Sequence, residues 1–194
     1  GLGLVSGILS IVFTAFLYRA EDVVETSPIP PLLRPALGGV LVGGMFFISP
    51  HLYGSGFSSI EALLQGDIAW TVAAGLIFWK TLACTTTLAS GGSGGVFSPS
   101  LFLGAAIGYS FGHVAQLIAP QTITSPTAYA LVGMGAFLSG TTHAPIASLL
   151  ILFELTSDYG IILPLMLAIT VSTLTARGLM TDSIYTRKLR RKGI

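Results

Sequence analysis

Apolar residues run in long blocks along this chain, and charged residues fall between the blocks or at its end. Residues 81–153 contain no Asp, Glu, Lys or Arg. That is 73 uncharged residues in succession, room for two or three membrane passes at about 20 residues each. Residues 1–18, 35–60 and 159–176 are uncharged as well. The pattern predicts a helix over residues 2–18, ended by charge and then by Pro28, Pro30 and Pro31. A second is expected over 33–48, stopped by Pro50. A short amphipathic helix opens at Ser58-Ser59-Ile60-Glu61-Ala62, with Ser58 or Ser59 as its N-cap. Residues 68–88 form the next apolar helix, interrupted by Lys80, and 97–118 another, with Pro99 in its first turn. Pro120 and Pro126 flank a loop. Two shorter helices, 128–138 and 145–155, are expected to join around Ser139-Gly140-Thr141. Residues 161–179 form another, and Asp182-Ser183 caps a last helix.

Composition narrows the class. Of 194 residues, 52% are hydrophobic and 9% charged, and the mean hydropathy is +0.83. A soluble domain carries about 25% charged residues, so a disordered chain is excluded and an ordinary soluble domain is not expected. A signal peptide does not account for apolar blocks that recur along the whole length. The net charge of +1 leaves no broad basic field for nucleic acid. Lone Cys84 excludes an intrachain disulfide framework. The first residue is Gly and already lies in an apolar run, so the chain reads as a piece of a longer membrane protein.

Several predicted helices are too short to cross. Helix ends inside lipid leave unpaired backbone groups, so broken helices occur only within protein or along an aqueous cavity, and interrupted segments point to a binding site. Five of the nine basic residues are Arg187, Lys188, Arg190, Arg191 and Lys192. They place this end in the cytoplasm by the positive-inside rule, or else mark a solvated helix end.

The candidate chemistry lies in Ser90-Gly91-Gly92-Ser93-Gly94-Gly95-Val96-Phe97-Ser98-Pro99. Glycines let a backbone turn sharply and approach a ligand. The helix that follows presents free N–H groups at its positive end, an anion site without a charged side chain. Ser100, Gly104, Gly108 and Gly112 line one face of that helix and read as a packing row. Position 97 is Phe, which breaks a dinucleotide fingerprint, and no Gly-Lys-Ser/Thr follows to make a P-loop. Gly91-Gly92-Ser93-Gly94-Gly95 also fits the G-x-S-x-G nucleophile elbow. An intramembrane serine protease would then use Ser93 with His113 or His143. Glu154 reads as a partly wet structural carboxylate rather than a proton relay, and Lys80 as a residue that snorkels or pairs. The histidines lack metal-ligand spacing, and no metal site or cofactor is expected.

Gly95-Val96-Phe97-Ser98-Pro99 resembles the G-x-F-x-P signature of the CLC family of chloride channels and chloride/proton antiporters. Arg34-Pro35-Ala36-Leu37-Gly38-Gly39 resembles a further family segment, as do Gly133-Met134-Gly135-Ala136, His143-Ala144-Pro145-Ile146, Glu154-Leu155-Thr156 and Ser183-Ile184-Tyr185. The resemblance covers the chain in the family's order. It implies an all-α integral membrane fold of tilted, broken and half-length helices, the second of two inverted repeats. Residues 1–194 would then be the C-terminal half of the membrane domain of a homodimer, in the plasma (inner) membrane.

The resemblance also implies a site. The N–H groups of Val96 and Phe97, with Ser98, bind chloride, and the Tyr185 hydroxyl is the other ligand. Gly94, Gly95 and Pro99 shape the helix start. Taken alone, Tyr185 would read as an interfacial anchor. The family's Gly-Ser-Gly-x-Pro and Gly-Lys/Arg-Glu-Gly-Pro segments, which carry a serine ligand and the gating glutamate, do not occur here. They and the internal glutamate would precede Gly1. The implied activity is therefore anion transport by the full protein, with no covalent chemistry. A carrier for fluoride or nitrate and a structural, dimer-forming membrane piece stand as further readings.

Overall fold

The computed structural model describes residues 1–120 and 125–191, and among these all regular structure is helical. Helix α1 spans Leu2–Glu25, α2 Arg34–Ile48, α3 Phe57–Gln65 and α4 Trp70–Ala89. They are followed by α5 (Phe97–Ile118), α6 (Pro126–Thr142), α7 (Pro145–Thr156), α8 (Ile162–Leu179) and α9 (Thr186–Arg191). Four stretches are long and apolar enough to cross a membrane: α1, α4, α5 and Tyr159–Leu179. The others are shorter, as an architecture of broken and half-length helices requires.

Several boundaries differ from the sequence expectation. Helix α1 runs seven residues past Tyr18, because Arg19 to Glu25 are mostly adequate helix formers and only the segment with Pro28 stops it. The N-cap of α3 is Gly56 in the left-handed region (φ 89°), not Ser58 or Ser59. The Ser59 hydroxyl instead donates to the His51 carbonyl at 2.9 Å. Helix α4 starts at Trp70 rather than 68, which leaves the Ile68 carbonyl free to accept the Tyr109 hydroxyl at 3.0 Å. Ser139-Gly140-Thr141 does not break α6; the break is at His143 (φ 57°) and Ala144. A Cβ at Gly140 would meet the hydroxyls of Ser10 and Ser172, so this glycine serves close helix contact. Pro126 and Pro145 each sit in a first turn, where the missing N–H has no partner to lose. Ser183 and Thr186 cap each other ahead of α9, with N–H to Oγ distances of 3.2 and 2.8 Å. Asp182 pairs with Arg190 at 3.1 Å. The loop residues 121–124, and Lys192 in the basic tail, lie outside the described residues.

The centre of the molecule is the α5–α6 contact. Lipid supplies no hydrophobic drive between helices, so association rests on close packing and polar links. A Cβ at Gly104 would fall 2.5 Å from the Gly133 carbonyl oxygen, and one at Gly112 2.8 Å from that of Pro126. At Gly108 the Tyr129 carbonyl is closer still. The Ser100, Gly104, Gly108, Gly112 row is therefore the packing seam that its spacing predicts. Against α6 lie α1 and α8, joined by buried hydroxyls. Ser172 donates to the Ala136 carbonyl at 2.6 Å, and Ser139 and Thr173 share a hydrogen bond.

Candidate anion site at the start of α5

Helix α4 ends in a Schellman motif. The Gly91 N–H donates to the Leu88 carbonyl at 3.1 Å and the Gly92 N–H to Thr87 at 2.9 Å. Gly91 has φ +85°, and a Cβ at Gly92 would fall 2.7 Å from the Thr87 oxygen. These two glycines thus stop a helix. Ser93, Gly94 and Gly95 are exposed and carry the chain to the first turn of α5. The first main-chain bond of that turn runs from the Ser100 N–H to the Val96 carbonyl, 3.1 Å. The N–H groups of Val96, Phe97 and Ser98 precede it and have no acceptor in the helical ladder.

Beside this start is a cavity of about 380 Å³. Gly94, Gly95, Ser98 and Pro99 line one side, and Lys80 and Cys84 of α4 another. Gly54 and Ser55, in the loop after the 3₁₀ turn Pro50–Leu52, and Val42 and Phe46 of α2 also line it. No Asp or Glu side chain lines it. The Ser98 hydroxyl donates to the Ser55 carbonyl at 2.6 Å, so Ser98 offers an anion only its main-chain N–H.

Tyr185 does not line this cavity. It lies half-exposed between α8 and α9, and its hydroxyl has no hydrogen-bond partner among the described residues. Its backbone is held by its neighbour: the Ile184 N–H donates to the Thr141 carbonyl at 3.0 Å, and the Tyr18 hydroxyl to the Ile184 carbonyl. The structure therefore groups Gly94, Gly95, Ser98 and Pro99 around one space, with Val96 and Phe97 at its edge in sequence.

Ser93 does not sit on a strand-to-helix elbow. It lies between two helices, and its hydroxyl has no histidine partner among the described residues. His113 is sixteen residues into α5, about 24 Å along the axis, and packs edge-on against Tyr109, with ring centroids 4.6 Å apart. The His143 Nε2 is buried without a partner. Among the described residues, neither histidine is hydrogen-bonded to Ser93. Glu154 is exposed near the end of α7.

The residue that sequence reasoning undervalued is Lys80. It does not snorkel; it is 5% exposed. Its ammonium donates to the carbonyls of Leu52 at 3.0 Å and Gly54 at 3.2 Å, and lies 5.2 Å from the centre of the Phe102 ring. The available signal was a lone cation immediately before the long uncharged stretch.

Comparison with known proteins supplies the family. Residues 1–177 match the model described as voltage gated chloride channel. A ClcB-like protein of Ralstonia nicotianae is 38% identical over 191 residues, which are 98% of this chain and 44% of that protein. The voltage-gated ClC-type chloride channel ClcB of Citrobacter koseri is 32% identical over 183 residues, 94% of this chain and 44% of that one. The crystal structure of a slow cyanobacterial Cl⁻/H⁺ antiporter superposes with a TM-score of 0.83 at 26% identity, over 98% of this chain and 45% of that chain. The chain thus spans less than half the length of the relatives it matches. With its broken helices, its α5 start and a match over most of its length, this membrane protein belongs to the voltage gated chloride channel, or CLC, family.

Proposed function

We propose that this chain forms part of a chloride-transport path in a CLC channel or Cl⁻/H⁺ antiporter, and that it acts in the full-length protein as the second inverted repeat. The anion is held by the N–H groups of Val96, Phe97 and Ser98 and by the Tyr185 hydroxyl. The observation that carries this reading is the start of α5. Three successive N–H groups lack ladder acceptors and stand next to an exposed Ser93-Gly94-Gly95 turn and a cavity without carboxylates. Neutral N–H and O–H donors replace part of the hydration shell of a halide while leaving it free to depart. A transport site needs both properties. Catalysis of bond breaking has no place in this mechanism, and no cofactor takes part.

The relatives' names, a chloride channel and a Cl⁻/H⁺ antiporter, support the same substrate class. On this reading the full protein is a homodimer in the inner membrane, with the basic segment after α8 on the cytoplasmic side. The test is chloride efflux from liposomes containing the full-length protein, paired with anomalous scattering from bromide-soaked crystals. Efflux together with a bromide peak at the N–H groups of Val96 and Phe97 is expected. Efflux of fluoride or nitrate but not chloride would reassign the substrate, and absence of any anion efflux would overturn the reading.

A further inference from the structure

Beside the cavity at the start of α5, side-chain donors take up the carbonyl oxygens of residues 51, 52, 54 and 55. Ser59 donates to His51 at 2.9 Å, and Lys80 to Leu52 at 3.0 Å and Gly54 at 3.2 Å. Ser98 donates to Ser55 at 2.6 Å. Clustered carbonyl oxygens are what a cation binds, and their negative ends repel an anion. The Lys80 ammonium occupies the place a free cation would take. Its third face lies toward the Phe102 ring, an interaction that also favours positive charge. No carboxylate pairs with it among the described residues. Gly56 permits the arrangement: at φ +89°, a Cβ there would lie 3.1 Å from the Phe102 ring and 3.5 Å from the Lys80 Nζ.

We propose that Lys80 is a tethered cation that fills a cage of loop carbonyls and makes the potential of this cavity positive, so that it admits anions and excludes cations. The physical reason is the range of the two fields. The field of the carbonyl dipoles falls off faster with distance than that of a full charge. A few ångströms into the cavity the ammonium therefore dominates, and it adds to the positive end of α5. Lys80 is accordingly a specificity-determining residue that need not touch the transported ion. The consequence for chloride rests on the transport reading above; the sign of the cavity potential does not.

The test separates charge from tethering. In the full-length protein, Cys84→Ala and replacement of any other cysteine leave Ser93→Cys as a reporter on the exposed side of the cavity. Its labelling rates by an anionic sulfonatoethyl and a cationic trimethylammonioethyl thiosulfonate are compared, each normalised to a free thiol. A unit charge about 10 Å away, at an effective dielectric of about 20, changes each rate by about one order of magnitude in opposite directions, and so the ratio by about two. Lys80→Gln keeps a donor for the loop carbonyls and loses the charge; Lys80→Arg keeps both. The expected result is an anion-favouring ratio in the parent and in Lys80→Arg, falling about a hundredfold in Lys80→Gln while the thermal midpoint stays within a few degrees. Chloride affinity should fall in parallel. A ratio unchanged in Lys80→Gln would overturn the proposal and leave Lys80 a loop tether, and so would a Ser93→Cys thiol that neither reagent reaches. If the parent protein binds no chloride, the transport reading fails, and the labelling ratio still decides the role of Lys80.

Discussion

Two tyrosines, one on α1 and one just before α9, meet the same short segment with different uses of their hydroxyls. Tyr18 is buried and donates to the Ile184 carbonyl. Tyr185, one residue further on, keeps its hydroxyl free among the described residues. Their Phe variants should therefore separate folding from binding. On the proposed reading, Tyr185→Phe removes a donor to the anion, a bond worth about 1.5–3 kcal/mol when one partner is charged. Chloride affinity measured by titration calorimetry should fall about tenfold or more, with an unchanged thermal midpoint. Tyr18→Phe orphans a buried carbonyl instead and should lower stability by about 1–3 kcal/mol. A Tyr185→Phe protein that binds chloride as tightly as its parent would remove this hydroxyl from the site. Ser98 gives a third contrast. Its hydroxyl is committed to Ser55, so Ser98→Ala should cost about 1 kcal/mol of stability and leave chloride affinity within twofold, because the main-chain N–H remains.

At the scale of elements, glycine has two distinct uses. On α5 it makes room: Gly104, Gly108 and Gly112 face carbonyls of α6 at distances no Cβ tolerates. On α2, Gly39, Gly43 and Gly44 have nothing within 4 Å of a Cβ position. Gly108→Leu should therefore force α5 and α6 apart and destabilise the fold by about 3 kcal/mol or more. Gly43→Leu should leave the packing within this chain intact. Thermal unfolding in detergent distinguishes the two, and equal losses would contradict the seam. Helix ends offer a smaller gain. Ser157 closes α7 at φ 50° with an exposed side chain, so Ser157→Gly should raise stability by about 0.5–1 kcal/mol. The same contrasts explain what the sequence could reveal. Helix α5 has the bounds its pattern predicts, because a glycine break and a first-turn proline mark its start. The end of α1 followed local propensity that the charged residues masked, whereas the continuity of α6 depended on tertiary contact. Gly140 looks like a breaker until Ser10 and Ser172 are packed against it, and nothing local marks Lys80 as pointing inward. The α5 half of the site was legible because main-chain donors follow from where a helix begins. The carbonyl-rich loop opposite was not, because residues 51–55 reach α4 and α5 only through the fold.

For the whole molecule, the distribution of exposed apolar groups bears on what this chain does by itself. Leu32, Phe47 and Ile118 are 92%, 95% and 80% exposed, and much of α2 is uncovered. Four stretches are fit to cross a bilayer, and lipid is a sufficient neighbour for their apolar faces. It is a poor neighbour for the start of α5, where Ser93, Gly94 and Gly95 expose main-chain polar groups that hydrocarbon cannot satisfy. Those groups require water, an ion or more protein around them. The relatives matched are more than twice as long as the matched segment; on the proposed reading, further segments of the full protein surround this region. A site walled by only part of a transporter would leave an ion without a closed path. We expect this 194-residue chain, expressed alone, to insert into membranes and to give no chloride efflux above protein-free liposomes. Co-expression with the remaining segments of its full-length protein should restore efflux, and Tyr185→Phe should reduce it. Chloride-selective efflux from the isolated chain would mean that the path closes within these helices, and would overturn the assignment of this chain as one half of a two-repeat transporter.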